Sequence, residues 1–331
     1  MTSTAAAMAS PVDFTAFGDY SVKAPRPADG EFVRPKYPFQ GRITADGSSG
    51  YLAQPGRYHL YVSLACPWAH RSVIVRQLLG LEQVISLSVV DPIRDGRGWA
   101  FRDGPGYTPD PVNGFTLLRE AYQATEPGYD GHVSVPVLWD RETGRIVSNN
   151  FPDITIDLET QFGEWATPGV DLYPAALRPE IDTLNERIYA TVNNGVYRCG
   201  FATTQEAYNE AVATLFDTLA DLDRRLAGQR YLVGSSVTEA DVRLWVTLAR
   251  FDAVYVTHFK ANLRRLADYP NLWPYARDLY AIPAFGQTTN FEHIKNHYYR
   301  THPQLNPLRI VPAGPILDWT MPHGREALAA G

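Results

Sequence analysis

Cys66 stands where an apolar run gives way to a helical pattern, in the sequence LACPWAHRSVIV (residues 64–75). Residues 58–64 are typical of a buried strand, and apolar residues then recur at helical spacing as far as Leu78. Pro67 occupies the first helical position, which proline favours. A sulfur at this place has access to backbone N–H groups that the helix leaves unbonded and to the positive end of its dipole. The pattern predicts a thiol that ionises easily and attacks a disulfide or a thioether, with an inert buried cysteine as the alternative.

The chain offers no neighbouring thiol that would resolve a disulfide of Cys66. Ala69 stands three residues later, where a CxxC pair would have its second cysteine, so we expect a mixed disulfide with an external thiol. Cys199, in YRCGF, follows no strand-to-helix turn, which favours a structural role. Two distant cysteines fit neither a disulfide framework nor a zinc site, and the eight histidines show no HxxxH pair on a predicted helix. We therefore expect no metal.

The elements that position Cys66 follow an α/β pattern. After the first strand and helix, a second strand is predicted at residues 84–90, and a Gly-, Pro- and Asp-rich segment over residues 91–114 is long enough for a functional loop. Residues 135–140 and 145–148 are predicted to form a hairpin. Residues 1–50 are rich in Pro, Gly, Ala and Ser, which predicts a loosely ordered extension without chemistry of its own.

Helices dominate the predicted structure from about residue 174 onward. Thr203 and Glu206 are predicted to form a capping box before a long amphipathic helix that ends ahead of Gly228. Thr238 and Asp241 are predicted to form a second capping box. A third helix is predicted within residues 271–285, followed by a tail punctuated by Pro and Gly. The fold class is thus α/β followed by all-α, with a domain over residues 51–170 and another over residues 171–331.

Composition and charge exclude several classes of protein. A chain of 331 residues, 45% of them hydrophobic, can bury the cores of two domains. The formal net charge is -6 and no block of basic residues occurs, so nucleic acid is not an expected partner. The sequence has no run of about 18 apolar residues and no charged start before an apolar core. We expect neither a membrane span nor a signal peptide, and a cytoplasmic location.

Four sequence segments together resemble the Xi class of glutathione transferases, the glutathionyl-hydroquinone reductases. They are ACPWAHR, NNGVYRCGFATTQEAY, ADVRLWVTLARFDAVYVTHFK and NHYYRTHPQLNPLRIVPAGP, and they occur in the family's order between about residues 38 and 315. The resemblance implies a thioredoxin-like domain that binds a thiol, followed by a helical domain for substrate binding and dimerisation. It also implies a homodimer that uses glutathione, or another low-molecular-weight thiol, to act on hydroquinone conjugates.

The resemblance assigns roles to residues around Cys66. Cys66 would be the nucleophile that attacks the thioether of the conjugate and is left as a mixed disulfide. Trp99, in GRGWAF, would contact the bound thiol; a core aromatic is the alternative interpretation. Val135 and Pro136 would form the cis-proline position that offers its backbone to the thiol, with an edge-strand proline as the alternative.

The resemblance also places three tyrosines near the sulfur. These are Tyr197 in NGVY, Tyr255 in FDAVY and Tyr298 in NHYY, with Tyr299 as the alternative to Tyr298. A phenol can pass a proton to a leaving ring or donate a hydrogen bond to a thiolate. We assign proton transfer to Tyr197, and we assign to Tyr255 and Tyr298 the lowering of the Cys66 pKa.

The chain departs from the family where the two charged ends of glutathione would bind. Asn150 and Phe151 stand where the family usually has Glu-Ser after VSN, so a charge-assisted contact to an ammonium group is lost unless Asp153 supplies it. His132 stands where the family commonly has an arginine, and histidine is mostly neutral at pH 7. The departures indicate either a less zwitterionic thiol, such as mycothiol, or glutathione bound more weakly through Trp99 and backbone groups.

Three functions therefore compete. The first is thiol-dependent reduction of S-conjugated hydroquinones. The second is conjugation of a thiol to an electrophile, which usually needs a serine or tyrosine at the helix start rather than Cys66. The third is a non-catalytic binding module of the same fold, against which the retention of Cys66 and three tyrosines argues. The sequence does not name the quinone.

Overall fold

The computed structural model describes residues 7–22 and 27–330, which divide into two compact units. The first unit contains residues 7–22, Pro35–Val170 and Glu292–Ile310, and the second contains residues 27–34, Asp171–Phe291 and 311–330. The predicted order, an α/β half followed by a helical half, is confirmed. Residues 1–6 and 23–26 of the predicted extension lie outside the described residues.

A mixed four-stranded sheet with the strand order β2-β1-β3-β4 forms the core of the first unit. The strands are β1 (Tyr58–Val62), β2 (Ser86–Val89), β3 (Val137–Asp140) and β4 (Arg145–Ser148). β1 pairs in parallel with β2, while β3 is antiparallel to both β1 and β4. The predicted strands and the hairpin are confirmed, with some ends up to two residues shorter than predicted.

β1 is buried along its whole length, as expected for a strand in the middle of a covered sheet. It nevertheless carries His59, whose Nδ1 lies 2.7 Å from Ser86 Oγ and whose Nε2 lies 2.9 Å from Ser88 Oγ. Burial lowers the pKa of His59 to about 3, and the nearby cations of Arg141 and Arg76 act in the same direction. The ring is therefore neutral, and the two serines of β2 satisfy both of its nitrogens.

Four α-helices of the first unit come before or between these strands, or directly after them, along the chain. They are α1 (Phe14–Phe17), α2 (Pro67–Leu78), α3 (Arg119–Thr125) and α4 (Phe151–Gln161). α2 is the helix predicted after Cys66, and it packs against α4. α1 is a single helical turn inside the segment that was expected to be loosely ordered. Its N-cap is Asp13, whose carboxylate accepts hydrogen bonds from the N–H groups of Thr15 and Ala16.

The second unit is helical throughout. Its α-helices are α5 (Arg178–Ile188), α6 (Gly195–Phe201), α7 (Gln205–Arg225), α8 (Glu239–Arg250), α9 (Leu272–Ala281) and α10 (Pro283–Gly286), with π-helical segments at Tyr189–Asn193 and Phe251–Tyr255. Short 3₁₀ turns lie at Leu81–Gln83 in the first unit and at Leu266–Asp268 and Glu326–Ala330 in the second. α7, α8 and α9 are the three helices predicted from the sequence.

One of the two predicted capping boxes is wrong. α7 begins after Thr204, whose Oγ1 accepts a hydrogen bond from Ala207 N at 3.2 Å. Thr203 lies before the cap, where its hydroxyl donates to Gly30 O, at 3.4 Å, and its N–H donates to the same carbonyl. The box at Thr238 and Asp241 is confirmed, and the Asp241 carboxylate accepts from Thr238 N at 2.8 Å.

The predicted tail contains a further helix, α11 (Phe291–Thr301), which belongs almost entirely to the first unit. Its buried face is polar and aromatic rather than aliphatic, and consists of His293, Ile294, His297, Tyr298, Tyr299 and Thr301. An aliphatic stripe was therefore absent from the sequence, and the helix was missed. Within the described ranges, no helix combines the length and apolar character that crossing a membrane requires.

Candidate active site

Cys66 is the N-cap residue of α2, with extended backbone angles and Pro67 at the first helical position. Its N–H donates to Ser63 O at 3.1 Å, which closes the turn between β1 and the helix. The side chain is half-buried, and Sγ lies 3.6 Å from Val135 O. The predicted strand-turn-helix setting is confirmed. Only a protonated thiol can donate a hydrogen bond to this carbonyl, so the contact does not show that Cys66 ionises easily. Easy ionisation stays a prediction.

The carbonyl that Cys66 contacts belongs to the cis peptide bond between Val135 and Pro136. The predicted cis-proline is therefore present. Val135 lies just before β3, and its backbone meets the first turn of α2. This arrangement brings the half-buried sulfur next to the buried segment just before β3, at the cis-proline turn where the resemblance predicts that the peptide part of a small thiol binds.

Trp99 lies in the long loop between β2 and α3 and is 3% exposed. Its ring stacks on the imidazole of His297, with 5.1 Å between centroids and 17° between planes, and the guanidinium of Arg94 lies 4.5 Å from its centroid. The indole N–H is buried and has no acceptor among the described residues. Stacking fits the core interpretation, whereas a buried donor without an acceptor fits contact with a ligand oxygen.

His132 is half-buried and lies three residues before Val135. Its Nδ1 is 2.8 Å from the hydroxyl of Tyr20, and its backbone carbonyl accepts a hydrogen bond from Tyr129 at 2.9 Å. The sequence did not predict Tyr20 as a partner, because it lies in the segment that we expected to have no chemistry.

Asn150 is the N-cap residue of α4, and Phe151 is the first residue of that helix. The Asn150 amide donates to Asp153 Oδ2 at 2.7 Å, while Asp153 Oδ1 lies 3.6 Å from the guanidinium of Arg42. Asp153, considered above as a substitute for the missing glutamate, is therefore already paired with an amide and a cation.

Phe151 is 2% exposed and packs inside the first unit. Its ring stacks on Trp68 of α2 at 4.5 Å and meets the edge of Tyr37 at 5.3 Å, and the guanidinium of Arg71 lies 5.2 Å from its centroid. The bulky ring of Phe151 therefore has a packing role, because it joins α4 to α2. Its predicted contact with the thiol stays a prediction.

Tyr298 lies on α11, in the same unit as Cys66, and is 1% exposed. Its ring packs near His297 and His302, with centroids 5.3 Å and 5.6 Å away. Tyr299, the alternative, is also buried. The role of either phenol at the sulfur stays a prediction.

Tyr197 and Tyr255 lie in the second unit, where the fold brings them together. Tyr197 is on α6 and Tyr255 ends a π-helical segment, and their ring centroids are 6.1 Å apart. Phe259 packs on both rings, and the guanidinium of Arg34 lies 4.6 Å from the centroid of Tyr197. The resemblance predicted that both tyrosines lie near the Cys66 sulfur; that placement and their roles in catalysis stay predictions.

The structure also shows the surroundings of Cys199 and of two histidines on α11. Cys199 is buried on α6, and burial raises the pKa of its thiol to about 12, as a structural cysteine requires. The sequence showed no HxxxH pair on a predicted helix, but α11, which was not predicted, carries such a pair, His293 and His297. Their ring nitrogens lie 2.6 Å from Pro105 O and 2.7 Å from Pro92 O, so both rings bind loop carbonyls. In the part of the chain that the structure describes, no group of three or more His, Cys, Asp or Glu side chains is arranged to hold a metal ion.

Comparison with known proteins gives matches over most of the chain. Residues 65–161 match the family described as "Glutathione S-transferase, N-terminal domain", and residues 205–278 match "Glutathione S-transferase, C-terminal domain". The chain is 50% identical to the glutathionyl-hydroquinone reductase YqjG of Escherichia coli over 90% of this chain and 93% of that protein. It is 50% identical to the glutathionyl-hydroquinone reductase PcpF of Sphingobium chlorophenolicum, over 86% and 90%.

Solved structures agree with these matches. The glutathione-bound structure of YqjG has a TM-score of 0.84 at 50% identity and covers 90% of this chain and 97% of that one. The Xi glutathione S-transferase of Phanerochaete chrysosporium has a TM-score of 0.84 at 48% identity, with 88% and 99% covered. The thioredoxin-like N-terminal and helical C-terminal domains expected from the sequence are thereby confirmed. This chain belongs to the Xi class of the glutathione transferases, the family of the glutathionyl-hydroquinone reductases.

Proposed function

We propose that this enzyme reduces S-conjugated hydroquinones with a low-molecular-weight thiol. The Cys66 thiolate attacks the sulfur of the conjugate, so that an S–S bond forms and the bond from sulfur to the ring carbon breaks. The electron pair of that bond stays on the ring carbon, which takes a proton from Tyr197, and the hydroquinone leaves. A second thiolate attacks the mixed disulfide, releases the oxidised thiol as its disulfide and regenerates Cys66. The thiol is thus the reductant.

The observation that carries this proposal is the position of one sulfur. Cys66 caps the N-terminus of α2 with its Sγ 3.6 Å from the carbonyl of Val135, at the cis-proline turn. When it ionises, such a sulfur can accept hydrogen bonds from the free backbone N–H groups at the start of a helix. A conjugating transferase needs a group that activates the thiol of a bound ligand, whereas a cysteine here supplies its own nucleophile. The names of YqjG and PcpF support the same reaction.

The identity of the thiol is a second part of the proposal. Glutathione carries an ammonium group and two carboxylates, and the two positions predicted to meet its charged ends hold Asn150 and His132. Asp153, the acid nearest to Asn150 in sequence, is paired with the Asn150 amide and with Arg42. We propose that a thiol rich in hydroxyl groups, such as mycothiol, suits this site better. Glutathione held through Val135 backbone groups and Trp99 is the competing possibility.

Intact-mass measurement of the Cys66 mixed disulfide tests both parts. The protein is exposed to glutathione disulfide or mycothiol disulfide at matched concentrations, and the adduct is located by peptide mapping. We expect one thiol per chain on Cys66 and faster labelling by mycothiol. Preferential labelling by glutathione would remove the altered specificity and leave the reductase mechanism standing.

Turnover of glutathionyl- and mycothiolyl-hydroquinones by single-cysteine variants tests the mechanism itself. Cys66→Ser is expected to lose at least about 10³-fold in kcat, because a neutral hydroxyl cannot replace the thiolate. Cys199→Ser removes the other thiol and is the matched control, which is expected to stay active. A non-catalytic binding module would show no turnover in either form. The homodimer and the cytoplasmic location remain predictions, and light scattering in solution would test the first.

A further inference from the structure

The N-terminal strap, defined here as residues 10–20, carries three aromatic side chains that each lie against an arginine. Phe14 meets Arg309 at 3.7 Å, Phe17 meets Arg97 at 3.8 Å, and Tyr20 meets Arg94 at 3.8 Å, each measured from guanidinium carbon to ring centroid. Contacts of this kind are attractive because a guanidinium cation lies over the negative face of the ring. The strap is therefore held along its length rather than at one point.

Hydrogen bonds fasten the same strap to the loop that carries Trp99. Arg97 donates to the carbonyls of Ser10 and Pro11, each at 3.0 Å, and Arg102 donates to Ser10 O at 2.9 Å. Gly96 N donates to Gly18 O at 2.9 Å. The strap and the loop thus form one hydrogen-bonded structure.

Tyr20, at the end of the strap, contacts two parts of the predicted thiol site. Its hydroxyl lies 2.8 Å from His132 Nδ1 and 3.4 Å from Val133 O. Its ring lies against the guanidinium of Arg94, and the same guanidinium lies 4.5 Å from the ring centroid of Trp99. One side chain of the strap is therefore joined to His132 directly and to Trp99 through Arg94.

We infer that Tyr20 is a positioning residue of the thiol site, which fixes the imidazole of His132 and, through Arg94, the indole of Trp99. This inference rests on the proposed function. Orientation of a ligand-binding imidazole by a hydrogen bond to its other nitrogen is a general device. When the phenol donates to Nδ1, a neutral His132 ring carries its proton on Nε2 and can donate it to a ligand. A neutral donor suits a hydroxyl group of the proposed thiol better than the cationic arginine that is common in the family at this position.

The state of Tyr20 agrees with that role. Burial raises the pKa of its phenol, although the Arg94 cation acts in the opposite direction. The hydroxyl is thus protonated at neutral pH and can donate to the imidazole. Arg94 is itself 8% exposed, so its position between Tyr20 and Trp99 is set by packing.

Calorimetric titration of Cys66→Ser with glutathione and with mycothiol, with and without Tyr20→Phe, tests the inference. Loss of one hydrogen bond is expected to weaken binding of the preferred thiol by about three- to tenfold. In the active enzyme the same substitution should raise KM for the thiol by a similar factor and leave kcat within about twofold. Tyr173→Phe is the matched control, because it removes a phenol that donates to Asp182 at 2.8 Å in the second unit. Its binding constants should not change.

A double-mutant cycle separates positioning from general damage to the fold. If Tyr20 acts on the ligand through His132, Tyr20→Phe should have little effect on binding once His132→Ala is present. Unchanged binding in Tyr20→Phe alone would overturn the inference while leaving the reductase proposal intact, and so would full additivity of the two substitutions. Failure of both thiols to bind Cys66→Ser would overturn the inference and the proposed thiol site together.

Discussion

Cys66 and Cys199 are the two thiols of the chain, and their surroundings differ in every respect that governs reactivity. Cys66 caps a helix, is half-buried and contacts a backbone carbonyl at a strand end. Cys199 lies inside α6, is 2% exposed, and has a pKa raised to about 12 by burial, which the adjacent Arg198 offsets only in part. Backbone geometry holds Cys66 at the start of a helix, whereas Cys199 is a buried packing residue.

The difference teaches where reactivity comes from in this fold. Both residues are cysteines in helical sequence, so residue type and helix membership do not separate them. What separates them is the helix position, since only the N-cap has access to N–H groups that lack intrahelical partners. For a thiol as buried as that of Cys199, the cost of burying the charge outweighs the stabilisation that Arg198 supplies.

Alkylation kinetics would show the largest difference between the two thiols. An ordinary cysteine of pKa about 8.5 is a few per cent thiolate at pH 7, whereas a thiol of pKa about 12 is about 0.001 per cent thiolate. We therefore predict that iodoacetamide labels Cys66 at least about 10³-fold faster than Cys199, as measured by quantitative peptide mapping.

The pH dependence sharpens this prediction. The rate at Cys199 should rise about tenfold per pH unit through neutral and alkaline pH, because its thiol stays protonated until about pH 12. The rate at Cys66 should level off at a much lower pH. Equal rates in the native protein, or a Cys66 rate that follows the same slope to high pH, would contradict the assignment of Cys66 as the nucleophile.

Substitution of the glycine beside Cys199 tests whether that site is as tightly packed as it looks. A Cβ at Gly200 would lie 2.3 Å from ring atoms of Phe259, which also packs on Tyr197 and Tyr255. We predict that Gly200→Ala lowers the free energy of unfolding by about 1–3 kcal/mol, as overpacking typically does. Gly195→Ala in the same helix is the control, since its Cβ would meet Leu215 at an ordinary 3.8 Å. Chemical denaturation that showed equal effects for the two variants would be evidence against a rigid aromatic cluster.

The setting of Cys66 was predictable from the sequence because its signals are local. A buried strand, a cysteine, a proline at the first helical turn and apolar residues at helical spacing lie within about twenty residues, and each is a backbone preference. The strands, the hairpin and the helices α7 to α9 followed from similar local patterns. The cap of α7 was misplaced by one residue, because two adjacent threonines offered the same hydroxyl and nothing in their residue type shows which of them the helix follows.

The remaining parts of the candidate site depend on contacts between distant segments. Tyr20 and His132 are far apart in sequence, and no local preference announces their hydrogen bond. The spacing of Phe14, Phe17 and Tyr20, three residues apart in an otherwise small-residue segment, was a signal that could have been used. α11 was missed because its buried face uses histidine and tyrosine, which bind loop carbonyls and pack as rings rather than forming an aliphatic stripe.

The smallest expected difference between the two thiols is in their contribution to stability, which serine substitutions measure. Cys199→Ser places a more polar hydroxyl in a buried position, which we expect to lower the free energy of unfolding by about 1–2 kcal/mol. Cys66→Ser should change it by less than about 0.5 kcal/mol, because the half-buried side chain can still donate to Val135 O. Urea unfolding at matched protein concentration measures both. A larger loss of stability in Cys66→Ser than in Cys199→Ser would contradict this expectation. The sulfur of Cys66 would then be important for packing, which is the role assigned here to Cys199.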